Sequence, residues 1–174
     1  MAVAITLDEF LTKQHIGYEV IKHRSTETAL DSSRSAKLPA GQVAKAVILE
    51  DDTGNILMAS VPAKRRVSIN RINMLTNGEY KLVHEAKLQE LFPDCKKGAI
   101  PCIGDAYHLR MMVDDELLAS DAVYIEAGDH QRMLKIDGEE FRHLVAKEPH
   151  GEIHSGLLRV ESFRERKSDW KWFP

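Results

Sequence analysis

The sequence predicts an α+β fold: a mixed, largely antiparallel sheet or barrel-like core flanked by helices. Three observations carry that prediction. Residues 43–50 (Val-Ala-Lys-Ala-Val-Ile-Leu-Glu) are almost continuously apolar, and a second apolar run at 56–63 follows the turn formers Asp51, Asp52, Thr53, Gly54 and Asn55, the pattern of a buried hairpin. Helical patterns stop at Pro39 and Pro93, and do not alternate one for one with strands. Three short strand patterns cluster after residue 110. Hairpins interleaved irregularly with helices read as α+β rather than as repeated βαβ units.

Taken in order, residues 6–13 form an amphipathic helix. Thr6 caps it with Glu9 in capping-box spacing, Ile5, Phe10 and Leu11 supply the apolar side, and Gly17 closes it. Residues 18–23 alternate loosely as a strand, and 28–37, rich in Ala, Leu and Ser, form a second helix. After the hairpin, Lys64, Arg65 and Arg66 make a basic run. A helix opens at 67–70 towards Leu75, and another covers 85–92. Residues 95–104, with two glycines and a proline, form an ordered loop. Strands at 111–114, 122–127 and 133–136 follow, the last two joined by the turn Gly128-Asp129-His130, and a helix at 138–145 closes the domain. The domain is expected to span residues 1–148. From 149 the pattern breaks at Pro149, Gly151 and Gly156, and Arg164-Glu165-Arg166-Lys167 is a charge run, so 149–174 is expected to be a tail or arm, partly disordered.

The 174 residues suit one domain, and 43% hydrophobic with 29% charged residues is a globular composition. A net charge of −3 argues against a DNA-coating protein, while leaving room for a local basic patch that docks one RNA end. No apolar run approaches the roughly 18 residues of a membrane span, and the N-terminus lacks a basic leader region, so the expectation is a cytoplasmic protein with no membrane partner. Cys95 and Cys102 are too few for a disulfide scaffold and lack metal-knuckle spacing; no zinc helix occurs among the histidines, and no metal is expected. Phosphate-binding glycine loops, dinucleotide fingerprints and the Gly-x-Ser-x-Gly elbow are all missing, which argues against nucleotide hydrolysis, against a serine esterase and for no cofactor.

Three features could carry chemistry. Lys45 interrupts an apolar strand, where an ammonium needs an anionic partner unless it snorkels out at the strand's entry. The Gly98-Ala99-Ile100-Pro101 loop can hold backbone N–H groups in a concave array that receives a carbonyl or an anion, or it is an ordinary rigid turn. His130 can reach a site at the sheet edge from its turn, or is an exposed loop histidine.

In this order, the segments at 23–31 (His-Arg-Ser-Thr-Glu-Thr-Ala-Leu-Asp), 42–46 (Gln-Val-Ala-Lys-Ala), 61–63 (Val-Pro-Ala), 98–101 (Gly-Ala-Ile-Pro) and 126–130 (Glu-Ala-Gly-Asp-His) resemble the YbaK/EbsC family, which includes the editing insertion domain of bacterial prolyl-tRNA synthetase. The resemblance covers about residues 5–147. It implies a YbaK-like fold and hydrolysis of the ester joining a wrong amino acid to tRNA, with alanyl- or cysteinyl-tRNA(Pro) as the expected substrates. By the same resemblance Lys45 lies in the pocket, the Gly98 loop orients the aminoacyl carbonyl, and His130 orients a ribose hydroxyl or the amino group. Ser25, Thr28, Ala99, Ile100, Pro101 and Cys102 are then substrate-binding positions. Relatives often carry a proline where this chain has Cys102, with Pro101 one place earlier. His130 leans the resemblance towards the alanine-editing branch. The family's chemistry is thought to use substrate groups and a positioned water, so a missing catalytic triad is no objection. Lys64, Arg65, Arg66, Arg71, Lys96 and Lys97 are the expected RNA-docking residues, with aminoacyl-tRNA and a cognate synthetase as partners. Two other readings use the same pocket: a catalytically weak tRNA- or synthetase-binding module, and a hydrolase of free small esters or amides.

Overall fold

The computed structural model describes residues 3–157. Its element order is α1 (Ile5–Lys13), β1 (Glu19–Lys22), α2 (Ala29–Ser35), β2 (Ala44–Asp51), β3 (Ile56–Pro62), β4 (Arg65–Val67), α3 (Ile69–Thr76), β5 (Tyr80–Leu82), α4 (Glu85–Leu91), a 3-10 turn (Gly104–Tyr107), β6 (Arg110–Asp114), α5 (Asp115–Leu118), β7 (Ala122–Glu126), β8 (Arg132–Asp137), α6 (Gly138–Leu144), β9 (His150–Gly151) and β10 (His154–Leu157). The fold is α+β, as expected, and its sheets stay open. A five-stranded mixed sheet runs β5-β2-β3-β6-β9, a three-stranded antiparallel sheet runs β1-β8-β7, and β4 pairs with β10.

The β2–β3 hairpin is the centre of the larger sheet, paired from Ala44–Pro62 through Glu50–Ile56. Its near-continuous apolar sequence has a plain cause: both faces are covered. Ala44, Ala46 and Ile48 face the main core, which also takes Leu7 and Leu11 of α1, Val123 and Ile125 of β7, and Phe141 of α6. Val47 and Leu49 face a second cluster with Val61, Ile72 and Ile153. Val43 joins a third, with Ala29, Ala63, Tyr124 and Met133. The two larger sheets touch through one parallel bridge, Val43 to Tyr124, and by the Tyr124 amide donating to the Gln42 carbonyl at 2.9 Å. Beyond that bridge each strand follows its own sheet.

Several local expectations are corrected. The α1 N-cap is Ala4, which offers no side-chain acceptor; the Thr6 amide instead donates to Asp94 Oδ2 at 2.9 Å, from 88 residues away. The helix ends at Lys13, and His15, not Gly17, takes the positive φ (58°) after it. The basic run at 64–66 is partly strand: Arg65 and Arg66 belong to β4. Residues 150–157, expected in the arm, are laid onto the domain, with His150 paired to Val113 of β6 and His154 to Val67 of β4. His154 and the fully buried Asp114 fasten this segment, Nδ1 to Oδ2 at 2.8 Å, while the Ile153 amide donates to the same oxygen at 2.9 Å. The charge run at 164–167 lies outside the described residues. Among the described residues no helix is long and apolar enough to cross a membrane.

Candidate functional site

Lys45 sits in β2 opposite Val61, on the face that carries Val43 and Val47. Those two valines belong to different apolar clusters, so Lys45 marks the seam between them. The residue is half-buried, and its ammonium has no hydrogen bond or ion pair among the described residues. Burial, and then the neighbouring Arg66 guanidinium, pull it down to about 8. Two cations side by side without a carboxylate make a place for an anion rather than a structural pair.

The Gly98 loop and His130 are brought together directly. Gly98 has φ +82°, the left-handed region that glycine favours; a Cβ there would stand 3.2 Å from both the Glu27 carbonyl oxygen and His130 Cε1. His130 Nε2 bonds the Lys97 carbonyl, and because a carbonyl only accepts, Nε2 carries the hydrogen. In the neutral ring Nδ1 is then the acceptor; it is buried and has no partner among the described residues. Asp129 builds this turn. Its Oδ1 accepts from the Gln131 and Arg132 amides at 2.9 and 3.0 Å, its other oxygen pairs with the Arg132 guanidinium, and His130 is held at φ 62°. The loop amides are not equivalent. That of Ala99 donates to the Lys96 carbonyl at 3.0 Å, whereas those of Gly98 and Ile100 on either side of it have no acceptor among the described residues.

Among the described residues no hydrogen bond or ion pair joins Lys45 to the loop or to His130; the bridge at Val43 and Tyr124 relates their strands. Ala99, Ile100, Pro101 and Cys102 are buried, and the Cys102 carbonyl accepts from Ser60 Oγ at 3.2 Å. Burial pushes the Cys102 thiol up to about 12, which rules it out as a thiolate nucleophile at neutral pH. Ser25 is exposed. The Thr28 hydroxyl caps α2, accepting from the Asp31 amide at 3.2 Å and donating to its carboxylate at 2.7 Å. A shallow groove runs between α4 and the loop, lined by Leu88, Phe92, Lys96, Gly98 and Ile100 among others, with neither Lys45 nor His130 in its wall.

Four of the six expected docking cations carry carboxylate partners. Lys64 and Arg65 share Glu116 at 2.5 and 2.8 Å, Arg71 pairs with Glu152, and Lys97 pairs with Glu85. Half-buried Arg66 and exposed Lys96 have none among the described residues. Asp114, Glu116 and His154 cluster closely, but Glu116 is taken by two cations and Asp114 by backbone amides and His154. That set is a clamp for the C-terminal segment.

Thr26, Ser32 and Glu126 were not singled out by sequence reasoning, and the structure draws them to the same place. The Thr26 amide donates to the His130 carbonyl at 3.3 Å, its hydroxyl meets Ser32 Oγ at 2.8 Å, and Ser32 Oγ donates to Glu126 Oε1 at 2.6 Å. The signal available was a glutamate ending an otherwise apolar strand.

Solved structures share this architecture. A hypothetical protein is 18% identical with a TM-score of 0.76, over 86% of this chain and 99% of its own. A protein described as a candidate trans-editing enzyme for prolyl tRNA synthetase is 20% identical with a TM-score of 0.75, over 88% of this chain and 97% of its own. A candidate signal transduction protein from Marinobacter aquaeolei VT8, 17% identical with a TM-score of 0.69, matches 87% of this chain in 31% of its own. At these identities the likeness establishes the fold alone. No curated protein matches the sequence. The model of the aminoacyl-tRNA editing domain matches residues 23–144, a span that includes Lys45, the Gly98 loop and His130. On that match the chain belongs to the aminoacyl-tRNA editing domain family.

Proposed function

We propose that this protein is a trans-editing hydrolase that cleaves the ester of mischarged aminoacyl-tRNA, with alanyl- or cysteinyl-tRNA(Pro) as substrate. The observation that carries the reading is Lys45, a desolvated cation with no counter-charge among the described residues and a second cation, Arg66, beside it. The fold gains nothing from that pairing, whereas a terminal phosphate of tRNA would satisfy both. In this reading the Gly98 and Ile100 amides receive the ester carbonyl oxygen, and His130 Nδ1 accepts from a ribose hydroxyl. A water oxygen bonds to the carbonyl carbon as one of its O–H bonds breaks, the carbon–oxygen bond to the ribose breaks, and the ribose oxygen takes up the proton the water gave up. The chain's contribution is positioning and electrostatic stabilisation, which account for much of the barrier reduction in such reactions.

The test is a panel of alanyl, cysteinyl and seryl esters on proline tRNA, with prolyl-tRNA as the spared control. Loss of one mischarged ester at substoichiometric protein supports the reading. Unchanged half-lives with tRNA bound make the protein a binding module. Hydrolysis of the same esters without the tRNA body makes it a small-ester hydrolase.

Two further outcomes follow from the site. His130→Ala should lower the rate on the order of 100-fold without abolishing it, the size of one lost positioning or proton-transfer contact; a rate equal to wild type for every ester leaves the histidine as a turn residue only. In tRNA binding, Arg66→Ala should reduce the slope of log K against log salt by about one unit. Arg65→Ala should change that slope far less, because Arg65 is already paired with Glu116. Equal effects of the two would contradict the assignment.

A further inference from the structure

Glu126 ends β7 with 2% of its surface exposed. Only one of its carboxylate oxygens is used: Oε1 accepts from Ser32, and Oε2 is buried with no partner among the described residues. Thr26 and Ser32 together fix the side chain's direction through their hydroxyl contact at 2.8 Å. Burial pushes the carboxyl up to about 7, with the Ser32 hydroxyl pulling the other way and Asp129 adding to the rise.

Its place in the fold relates it to Lys45. Val43 of the β2 side and Tyr124 of β7 form the parallel bridge between the two sheets, and both belong to one apolar cluster. Two residues further along each chain, on the same side by the period-two alternation, come Lys45 and Glu126. There β2 continues with β3 and β5 while β7 continues with β8, so the strands part. Neither charged group has the other as an ion-pair partner, and each is desolvated on its own wall of the seam. The Cys102 thiol, at the end of the Gly98 loop, lies in the field of Glu126.

The geometry points to Glu126 as the group that receives the α-ammonium of the aminoacyl ester, across the seam from the Lys45–Arg66 anion site. This rests on the deacylase reading above. An aminoacyl ester at the 3′ end of tRNA carries an ammonium on the carbon next to the ester carbonyl and a phosphate on the nucleotide side. A carboxylate and a pair of cations on opposite walls match that arrangement, and an ester lacking the ammonium would leave the Glu126 carboxylate without a counter-charge.

The experiment compares alanyl-tRNA with lactyl-tRNA, which has a hydroxyl where alanine has its ammonium, each rate divided by that ester's uncatalysed rate. Wild type should prefer the alanyl ester by about 10- to 100-fold in kcat/KM, the range for a hydrogen bond to a charged group. Glu126→Gln, which keeps the volume and the Ser32 contact, should lose that preference by slowing the alanyl ester alone. Wild type treating the two esters alike overturns the inference without any variant having to fold. So does Glu126→Gln slowing both equally while melting like wild type. Hydrolysis of neither ester by wild type removes the deacylase reading itself, and this inference with it.

Discussion

Lys45→Met should reduce deacylation by at least about 100-fold and, at the same time, make the domain more stable at neutral pH. The two effects have one origin. The Lys45 ammonium is held near 8 against 10.5 for a free lysine, by burial and by Arg66, so folding at pH 7 retains a charge the seam does not favour. Between about pH 8 and 10.5 the unfolded chain binds the extra proton, and wild-type stability should therefore rise with pH across that window; below it the penalty is fully present. Methionine removes the charge and keeps most of the volume, and the gain should be on the order of 1–3 kcal/mol at pH 7, with the slope above pH 8 flattened. Lys45→Arg keeps the charge but should also lose activity, since a planar fork does not replace a compact ammonium. Thermal melts at pH 7 and pH 9.5, beside a deacylation assay, check both halves. A methionine variant that is less stable than wild type, or one that retains activity, contradicts this account of the residue.

Gly98→Val should also remove most activity, by about 100-fold or more, but with a loss of stability and with tRNA binding retained. The resemblance to the editing family implies that a side chain at Gly98 would fill the space the aminoacyl group needs. In the structure the first obstacle is nearer: the new Cβ would press on the Glu27 carbonyl and the His130 ring, both at 3.2 Å. The backbone adds its own cost, because φ +82° is strained for any L-residue and worst for a β-branched one. Relief requires moving the loop or the His130 turn, which displaces the amides and Nδ1 together. A cost of about 1–3 kcal/mol is expected. Binding should persist because Arg66 is on β4, outside the loop's packing against His130. Gly98→Ala should be milder in both respects. Wild-type turnover by the valine variant would show that the loop's conformation is irrelevant to the reaction.

Where the sequence was legible, local physics and tertiary packing agreed. The β2–β3 hairpin could be read because both strands are buried on two faces and the turn between them is made of polar, flexible residues, with Asp51 accepting from the Thr53 and Asn55 amides at 2.9 and 2.8 Å. Lys45 stood out for the same reason: a charge in such a run is conspicuous. β4, β5 and β9, of three, three and two residues, have no periodicity to read, and their existence depends on partners such as Leu82 opposite Leu49 and His150 opposite Val113. The capping of α1 could not be read because the acceptor for its Thr6 amide is Asp94, a contact no local window contains. The ion pairs on the basic surface could not be read for a similar reason: Glu116 and Glu152 are far along the chain from their cationic partners. Glu126 and Ser32 lie 94 residues apart, and only the closing of α2 over the end of β7 makes them a pair.

The most direct measurement is the half-life of alanyl-tRNA(Pro) with the protein at one tenth of the ester concentration, beside prolyl-tRNA(Pro) under the same conditions. The account predicts complete loss of the alanyl ester over many turnovers, with the prolyl ester decaying at its uncatalysed rate and Lys45→Met failing to shorten either. Unchanged half-lives of every ester in the mischarged panel, or a Lys45→Met protein as active as wild type, would contradict it.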